Sequence, residues 1–462
     1  MEEKWSRVFG KELKKVSFMA APMVALMVLQ YLYYFVAIIM VGHLGELSLS
    51  GVSMANSFTS VTGFCFLLGL TSGLETLCGQ AYGAEQYQKL GIYTYTSIIS
   101  LTLVCLPISI LWIFTDKILI LIGQDPSISE EAQKFSIYLI PNLFFYAILQ
   151  SFIRYLQTQS LILPMLYSYL ASFCLHIPLC WILIFKLKLE VIGAALAINM
   201  SSFVNVILLG FYIKYSSACE KARPVFSMEV FSTIKEFFSF GIPSALMICL
   251  EWWAYEIIIF LSGLLPNPKL ETSVLSICFS ITYFHAFIPF GLGTVASIRV
   301  SNELGAGNPK AAKVAVLAVM FIATVEIIIV STTIFFCRHI LGNVYSNEKE
   351  VVDHVADMGF LLSLSIILDG LQIGLSGVAR GTGWQHLGAY VNLSAFYLVG
   401  TPFAAVLAFV LHLKGKGLWI GLVTGSTVQV VLLSLITSLT NWHKQASKAR
   451  ERIFDGDIRD TS

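Results

Sequence analysis

Apolar runs of about 20 residues recur along the whole sequence, and each can cross the ~30 Å hydrocarbon core of a membrane. Because lipid offers no hydrogen-bonding partner to a free backbone group, each run must form a helix. The sequence therefore predicts an all-α integral membrane protein with twelve transmembrane helices. We place the runs at 16–41, 50–74, 90–114, 132–156, 163–185, 191–213, 238–264, 273–297, 312–337, 355–378, 386–411 and 417–441.

Composition supports this class and excludes others. Charged residues make up 12% of the 462 residues and hydrophobic residues 56%, whereas a soluble domain carries roughly 25% charged residues. The net charge of +1 and the lack of a dense basic patch argue against nucleic-acid binding. The nine cysteines form no Cys-x-x-Cys pair, so we expect no disulfide framework and no metal site.

The distribution of Lys and Arg predicts the orientation of the spans. Most of these 29 residues lie in the termini and in the alternate loops on the same side, which predicts that both termini are cytoplasmic. We divide the chain into a cytoplasmic N-terminus at 1–15, an N-lobe with the first six spans at 16–213, a cytoplasmic linker at 214–237, a C-lobe with the last six spans at 238–441 and a cytoplasmic C-terminal tail at 442–462.

The two halves repeat each other in order along the chain. Pro22 aligns with Pro243, and Gly193 aligns with Gly417. Since each half has an even number of spans, the repeats share one orientation and are related by an axis along the membrane normal. We expect two six-helix bundles around a central cleft, with alternating access between its two sides. Pro22 and Pro243 lack the N–H that a helix needs, so both are predicted bending points.

Carboxylates inside the spans are concentrated in the second half. Glu251, Glu256 and Asp369 all lie in apolar segments. A charge there is tolerated only if it faces water, finds a partner or takes up a proton. A buried acid that titrates near physiological pH is what a proton-coupled carrier requires. The three are our proton-coupling candidates, and structural acids hydrogen-bonded inside the bundle are the alternative.

Polar and aromatic residues at helical spacing predict the wall of a cavity. Asp369 shares a stripe with Ser365, Gln372 and Ser376, and Asn392 is a natural hydrogen-bond partner for a protonated Asp369. Glu256 follows Glu251 by about 140° around the helix, so both cannot point at one cavity. The predicted cavity residues are Gln30, Tyr31, Tyr34, Asn56, Tyr255, Tyr283, Phe287, Gln372 and Asn392.

Five segments closely resemble the plant branch of the multidrug and toxic compound extrusion (MATE) transporters, the DETOXIFICATION proteins. They are long, occur in the family's order and extend from the first span to the eleventh. They read Val41-Gly-His-Leu-Gly45, Leu74-Glu-Thr-Leu-Cys-Gly-Gln-Ala-Tyr-Gly-Ala84, Glu251-Trp-Trp-Ala-Tyr-Glu256, Arg299-Val-Ser-Asn-Glu-Leu-Gly-Ala-Gly-Asn-Pro309 and Gly377-Val-Ala-Arg-Gly-Thr-Gly-Trp-Gln385.

The resemblance implies a V-shaped pair of six-helix lobes around a central cavity. It also implies export of amphipathic, often cationic organic compounds, driven in plant relatives usually by protons. The family's C-lobe acids correspond to Glu251 and Asp369, with Glu256 as an additional glutamate in the same motif. Some prokaryotic members use an aspartate in the first helix, where this sequence has Gln30, Tyr31 and Tyr34.

We therefore expect a secondary active efflux transporter rather than an enzyme, working as a monomer in the plasma or vacuolar membrane. Its partners would be small organic substrates and the lipid bilayer, with no nucleic acid. No cofactor is expected, and the coupling ion would be H⁺ or Na⁺.

Several alternatives remain open. One is sodium coupling, and another is a carrier of lipid-linked oligosaccharides, whose cavity needs basic residues. A receptor would bind the ligand without moving it. Gly374-Leu-Ser-Gly377 matches a short intramembrane protease motif, but six spans suffice for that enzyme and the second half would be unexplained.

Overall fold

The computed structural model describes residues 2–459, with side chains described from residue 5 to residue 454. Within this part of the chain, twelve helices are long and apolar enough to cross a membrane, as predicted. They are α1 (Trp5–Gly42), α2 (Glu46–Gly83), α3 (Tyr87–Ile113), α4 (Pro126–Thr158), α5 (Ile162–Lys186), α6 (Glu190–Tyr215), α7 (Ile234–Ser262), α8 (Pro268–Gly305), α9 (Pro309–Tyr345), α10 (Lys349–Thr382), α11 (Gln385–Val410) and α12 (Lys414–Ser438).

Shorter helices lie between and after the membrane-length ones. Thr115–Leu121 follows α3, and Glu229–Ser232 precedes α7. A last helix, α13 (Trp442–Arg459), follows α12. Its buried residues Trp442 and Ala446 are one helical turn apart, so a single face is buried.

The described chain divides into two compact units. The N-terminal unit is Ala25–Ala245, and the C-terminal unit combines the described residues up to Val24 with those from Leu246 onwards. This division falls inside α1 and α7, whereas the predicted lobes at 16–213 and 238–441 divide the chain in the linker. The first part of α1 thus belongs with the C-terminal helices, and the first part of α7 with the N-terminal ones.

A proline stands just before the point of division in each of these two helices. Pro22 precedes it in α1 and Pro243 precedes it in α7, and both helices continue through the proline. Because proline has no N–H, one carbonyl of the preceding turn lacks its helical hydrogen bond. The repeat therefore places the weakest point of each helix where its packing environment changes.

The backbones of the two units repeat each other in local detail, which confirms the predicted internal repeat. Helix α5 ends in the π-helical segment Ile182–Lys186, and α11 ends in the π-helical segment Val406–Val410. Two residues with left-handed φ follow each segment, where L-residues are otherwise rare. They are Lys188 (52°) and Glu190 (49°) in the first unit, and His412 (56°) and Lys414 (50°) in the second.

Two equivalent glycines pack against these π-helical segments. A Cβ at Gly193 would lie 2.8 Å from the carbonyl carbon of Leu183, and one at Gly417 would lie 2.7 Å from the carbonyl carbon of Leu407. Both neighbours are backbone atoms, which cannot move aside as a flexible side chain can. The close approach of α6 to α5, and of α12 to α11, therefore requires glycine.

We expect Gly193→Ala and Gly417→Ala each to destabilise the protein by about 1–3 kcal/mol, the usual cost of overpacking. The melting temperature of the detergent-solubilised protein, followed by fluorescence-detected size-exclusion chromatography, measures this. Gly10→Ala is the matched control, because a Cβ at Gly10 meets nothing within 4 Å. Unchanged melting temperatures for both packed-glycine variants would show that the two helix pairs do not depend on these contacts.

Candidate functional site

Glu251 lies inside the C-terminal unit and is held by three side-chain amides from three other helices. Gln372 of α10 donates from Nε2 to Oε1 of Glu251 at 2.7 Å. Gln429 of α12 and Asn392 of α11 donate to Oε2 at 3.2 Å and 3.4 Å. Three helices, α10, α11 and α12, therefore each place one side-chain amide against the carboxyl group of Glu251 on α7.

Asp369 lies beside this carboxyl group and is buried, with 8% of the residue exposed, whereas Glu251 is half-buried. The hydroxyl of Tyr255, one turn along α7 from Glu251, donates to its Oδ1 at 3.3 Å. Asp369 is also close enough to interact electrostatically with Glu251 and His285. We call the whole group the buried polar cluster; it comprises Glu251, Tyr255, Asp369, Gln372, Asn392 and Gln429.

The polar stripe predicted on α10 faces the interior of the C-terminal unit. Ser365, Asp369, Gln372 and Ser376 are all buried. Trp419 of α12 donates from Nε1 to the Ser365 hydroxyl at 2.8 Å, and the hydroxyl of Ser376 donates to Oε1 of Gln372 at 3.3 Å. Helical spacing alone therefore predicts correctly which residues of α10 share the polar interior.

The predicted hydrogen bond between Asn392 and Asp369 is wrong. Asn392 donates from Nδ2 to the carbonyl of Met247 at 2.6 Å and to Glu251, and its Oδ1 accepts from Gln429 at 2.8 Å. These partners lie on α7 and α12. Sequence spacing places Asn392 on a face of α11 but does not tell which neighbouring helix that face meets.

Glu256 lies apart from the cluster, as its position around the helix predicts. Its side chain is exposed, whereas Tyr255, the preceding residue, bonds to Asp369. The two glutamates of the α7 motif therefore occupy different environments, and only Glu251 is part of the polar interior.

The predicted aromatic residues of the C-terminal unit form a chain of ring contacts on α7 and α8. Tyr283 meets Phe287 edge-on, with ring centroids 5.4 Å apart, and Trp252 edge-on at 5.9 Å. Tyr283 is 36% exposed and Phe287 is buried. Trp252 was not among the predicted cavity residues. In the sequence, only the position of Trp252 next to Glu251 in the α7 motif indicates that it belongs with these residues.

In the N-terminal unit, Tyr34 is the predicted residue with the most definite partners. Its hydroxyl accepts from Asn142 Nδ2 at 3.1 Å, and its ring meets Phe64 edge-on. Tyr31 stacks on Phe35 of the same helix. Gln30 and Asn56 are half-buried; Asn56 lies one turn before the π-helical segment that begins at Ser60.

The acid of the N-terminal unit is paired with a base, in contrast to the cluster. Arg154, near the C-terminal end of α4, contacts Glu75 of α2 with Nη1 and Oε1 2.8 Å apart, and both side chains are buried. Arg154 also donates to Gln157 at 2.9 Å. The position of Glu75 at the end of its span predicts pairing with a nearby base, but the sequence does not identify Arg154 as that base, because the two residues lie on different helices.

The cluster offers oxygens and amides rather than a set of metal ligands. Within the described residues, no three His, Cys, Asp or Glu side chains come together as metal ligands. Carboxyl groups can gain or lose a proton, and amide and phenol groups can donate hydrogen bonds to them. The cluster therefore combines two titratable acids with neutral hydrogen-bonding groups.

Known proteins match the chain along nearly its whole length. The MatE family model matches residues 22–182 and 243–406. Protein DETOXIFICATION 14 of Arabidopsis thaliana is 56% identical over 446 residues, covering 96% of this chain and 92% of that protein. Protein DETOXIFICATION 12 of the same plant is 53% identical over 445 residues, with the same coverage of 96% and 92%.

A solved structure matches as well. The crystal structure of the eukaryotic MATE transporter AtDTX14 superimposes with a TM-score of 0.93 at 55% identity, covering 96% of this chain and 100% of that chain. Twelve membrane-length helices in two repeated units, with this match, define a multi-pass membrane transporter. The chain belongs to the MATE family, in its plant DETOXIFICATION branch, and is a multidrug and detoxification transporter.

We expect Arg154→Met to destabilise the protein by about 3–5 kcal/mol, because it leaves the Glu75 charge buried without this base. The double variant Glu75→Met/Arg154→Met should recover most of that loss, since it removes both charges. Melting temperatures of the purified variants test this expectation. Equal losses in the single and double variants would mean that packing, rather than charge pairing, is what Arg154 contributes.

Proposed function

We propose that the protein exports amphipathic, often cationic organic compounds in exchange for protons, by alternating access. One observation carries the proposal. Among the described residues, the hydrogen bonds to Glu251 and Asp369 come from neutral amides and a phenol. Arg380 also interacts electrostatically with Glu251.

Neutral partners permit both charge states of these acids, which an ion pair does not. An amide carries two donors and an acceptor, so it can serve a carboxylate or a carboxylic acid. Oε1 of Gln429 is buried, and no described group lies within hydrogen-bonding distance of it. Oε1 of Gln429 can therefore accept a hydrogen bond from the O–H of a protonated Glu251. Protonating Glu75, by contrast, would break its bond to Arg154.

Proton exchange at the two acids would be coupled to substrate binding through the charge of the acids. When Glu251 and Asp369 are ionised, they attract a cation, and the low dielectric of the interior strengthens that attraction. Proton uptake removes the charge, so a cationic substrate leaves. One pH unit supplies ~1.4 kcal/mol per proton, and 100 mV adds ~2.3 kcal/mol per charge moved.

The proposed cycle uses both halves of the repeat. Pro22 and Pro243 would supply the bending points of α1 and α7, and Glu251 lies on α7 two turns after its proline. Gln30, Tyr31, Tyr34, Asn56, Tyr283 and Phe287 would contact the organic part of the substrate, and Glu256 would be an outer acid. We place both termini in the cytoplasm and the protein, as a monomer, in the plasma or vacuolar membrane.

The alternatives differ in what the interior must contain. A carrier of lipid-linked oligosaccharides must neutralise phosphate groups and so needs cationic side chains. The buried polar cluster instead holds two acids and four neutral groups. Sodium coupling would use the same carboxylates as oxygen ligands, so only a measured ion dependence separates it from proton coupling.

We expect Asp369→Asn and Glu251→Gln to abolish proton-driven uptake of a cationic dye into inverted proteoliposomes, because neither amide can exchange a proton. Wild-type uptake should follow an imposed pH gradient and ignore a sodium gradient. Glu256→Gln should cause a smaller loss than either. The measurement is the initial rate of dye accumulation in vesicles of fixed protein content.

Glu271→Gln is the matched control. Glu271 is a buried glutamate that accepts from the backbone N–H of Gly415 at 3.0 Å, away from the cluster. Normal transport by Asp369→Asn and Glu251→Gln would mean that the cluster acids are structural. Uptake that follows sodium instead would refute proton coupling.

A further inference from the structure

A second acid of the C-terminal unit lies outside the buried polar cluster and contacts a histidine. Nε2 of His285, on α8, is 3.0 Å from Oε1 of Glu326, on α9. Their side chains are 3% and 13% exposed. A bond between two titratable groups in this interior joins neighbouring helices, and the mechanism proposed above makes no use of it.

The second polar atom of each group has unused hydrogen-bonding capacity. Within the described part of the chain, neither Nδ1 of His285 nor Oε2 of Glu326 has a hydrogen-bonding partner, and both atoms are buried. His176 of the N-terminal unit is different. Its Nδ1 is 2.9 Å from the Ser201 hydroxyl and its Nε2 is 3.0 Å from the Tyr33 carbonyl. A purely structural histidine would be expected to resemble His176.

The pair lies next to the cluster. Glu326 precedes Ile327, whose side chain packs against Gly370, the residue after Asp369. Asp369, on α10, interacts electrostatically with His285 on α8 and with Glu251 on α7. The charge on His285 therefore acts on Asp369.

The net charge of the pair depends on the number of protons that it holds. With one proton on the imidazole and none on Glu326, its net charge is −1. A second proton, held on Oε1 of Glu326 as a carboxylic acid that donates to Nε2 of the neutral ring, makes it neutral. Neutrality is favoured in a low-dielectric interior, and an ionised Asp369 nearby favours it further. A third proton would make the pair positive and again costly to bury.

We propose that His285 and Glu326 form a second proton-exchange site of the C-terminal unit, which binds one proton in addition to those on Glu251 and Asp369. The inference rests on the proposed proton coupling and adds His285 and Glu326 to the side chains that exchange protons. Proton binding by the pair limits the negative charge that gathers in the interior when the cluster releases its protons.

Infrared difference spectroscopy of the full-length protein in lipid, between pH 6 and pH 9, tests the site directly. Exposed Asp and Glu residues titrate near pH 4, so they are already ionised in this range, and the carboxylic acid C=O bands report buried acids. We expect Glu326→Gln to lose one such band component and His285→Gln to shift it. Glu271→Gln and His176→Gln are the controls and should keep it.

The double variant Glu251→Gln/Asp369→Asn provides a second test that does not need Glu326→Gln to fold. It should retain one titrating carboxylic acid band, that of Glu326. A spectrum of Glu326→Gln identical to wild type, or a double variant without such a band, would overturn the second site.

Dye transport by wild type separates the two proposals. Transport that ignores the pH gradient, with the Glu326 band present, would refute the proposed function while Glu326 still binds a proton. Proton-driven transport without the Glu326 band would refute the second site alone.

Discussion

Every polar group inside this membrane protein needs a hydrogen-bonding partner that lipid cannot supply, and the structure follows from that requirement. In the part of the chain that the structure describes, the backbone meets it by forming twelve membrane-length helices. Side chains meet it in two ways. Arg154 neutralises Glu75 by an ion pair, while amides and a phenol hold Glu251 and Asp369. An ion pair fixes the charge of its members, whereas neutral partners allow the charge to change.

The two halves of the repeat thus share a backbone but differ in polar content. The π-helical ends of α5 and α11, the left-handed residues after them and the closely packed Gly193 and Gly417 match between the units. The titratable groups do not. The cluster and the His285–Glu326 pair both lie in the C-terminal unit. Under the proposed function, the second half of the repeat is the one that exchanges charge.

Much of this arrangement could be predicted from the sequence where the relevant distance lies within one helix. Span lengths predict the twelve helices, and helical spacing predicts the shared stripe of Asp369 and Gln372 and the separation of Glu256 from Glu251. Contacts between helices could not be predicted in this way. Asn392 bonds to Glu251 rather than Asp369, and the sequence does not identify Arg154 as the base that pairs with Glu75. Such partners depend on how side chains pack between helices, which periodicity does not encode.

The central claim, that a cationic substrate and protons compete for the same buried charge, is tested most directly by proton release. Tetraphenylphosphonium would be added to purified, weakly buffered protein, and the pH change recorded with an indicator dye. The account predicts that wild type releases protons as the cation binds, and that Glu251→Gln/Asp369→Asn releases fewer. Binding by wild type with no proton release between pH 6 and pH 8, and with an affinity that depends on sodium, would contradict it.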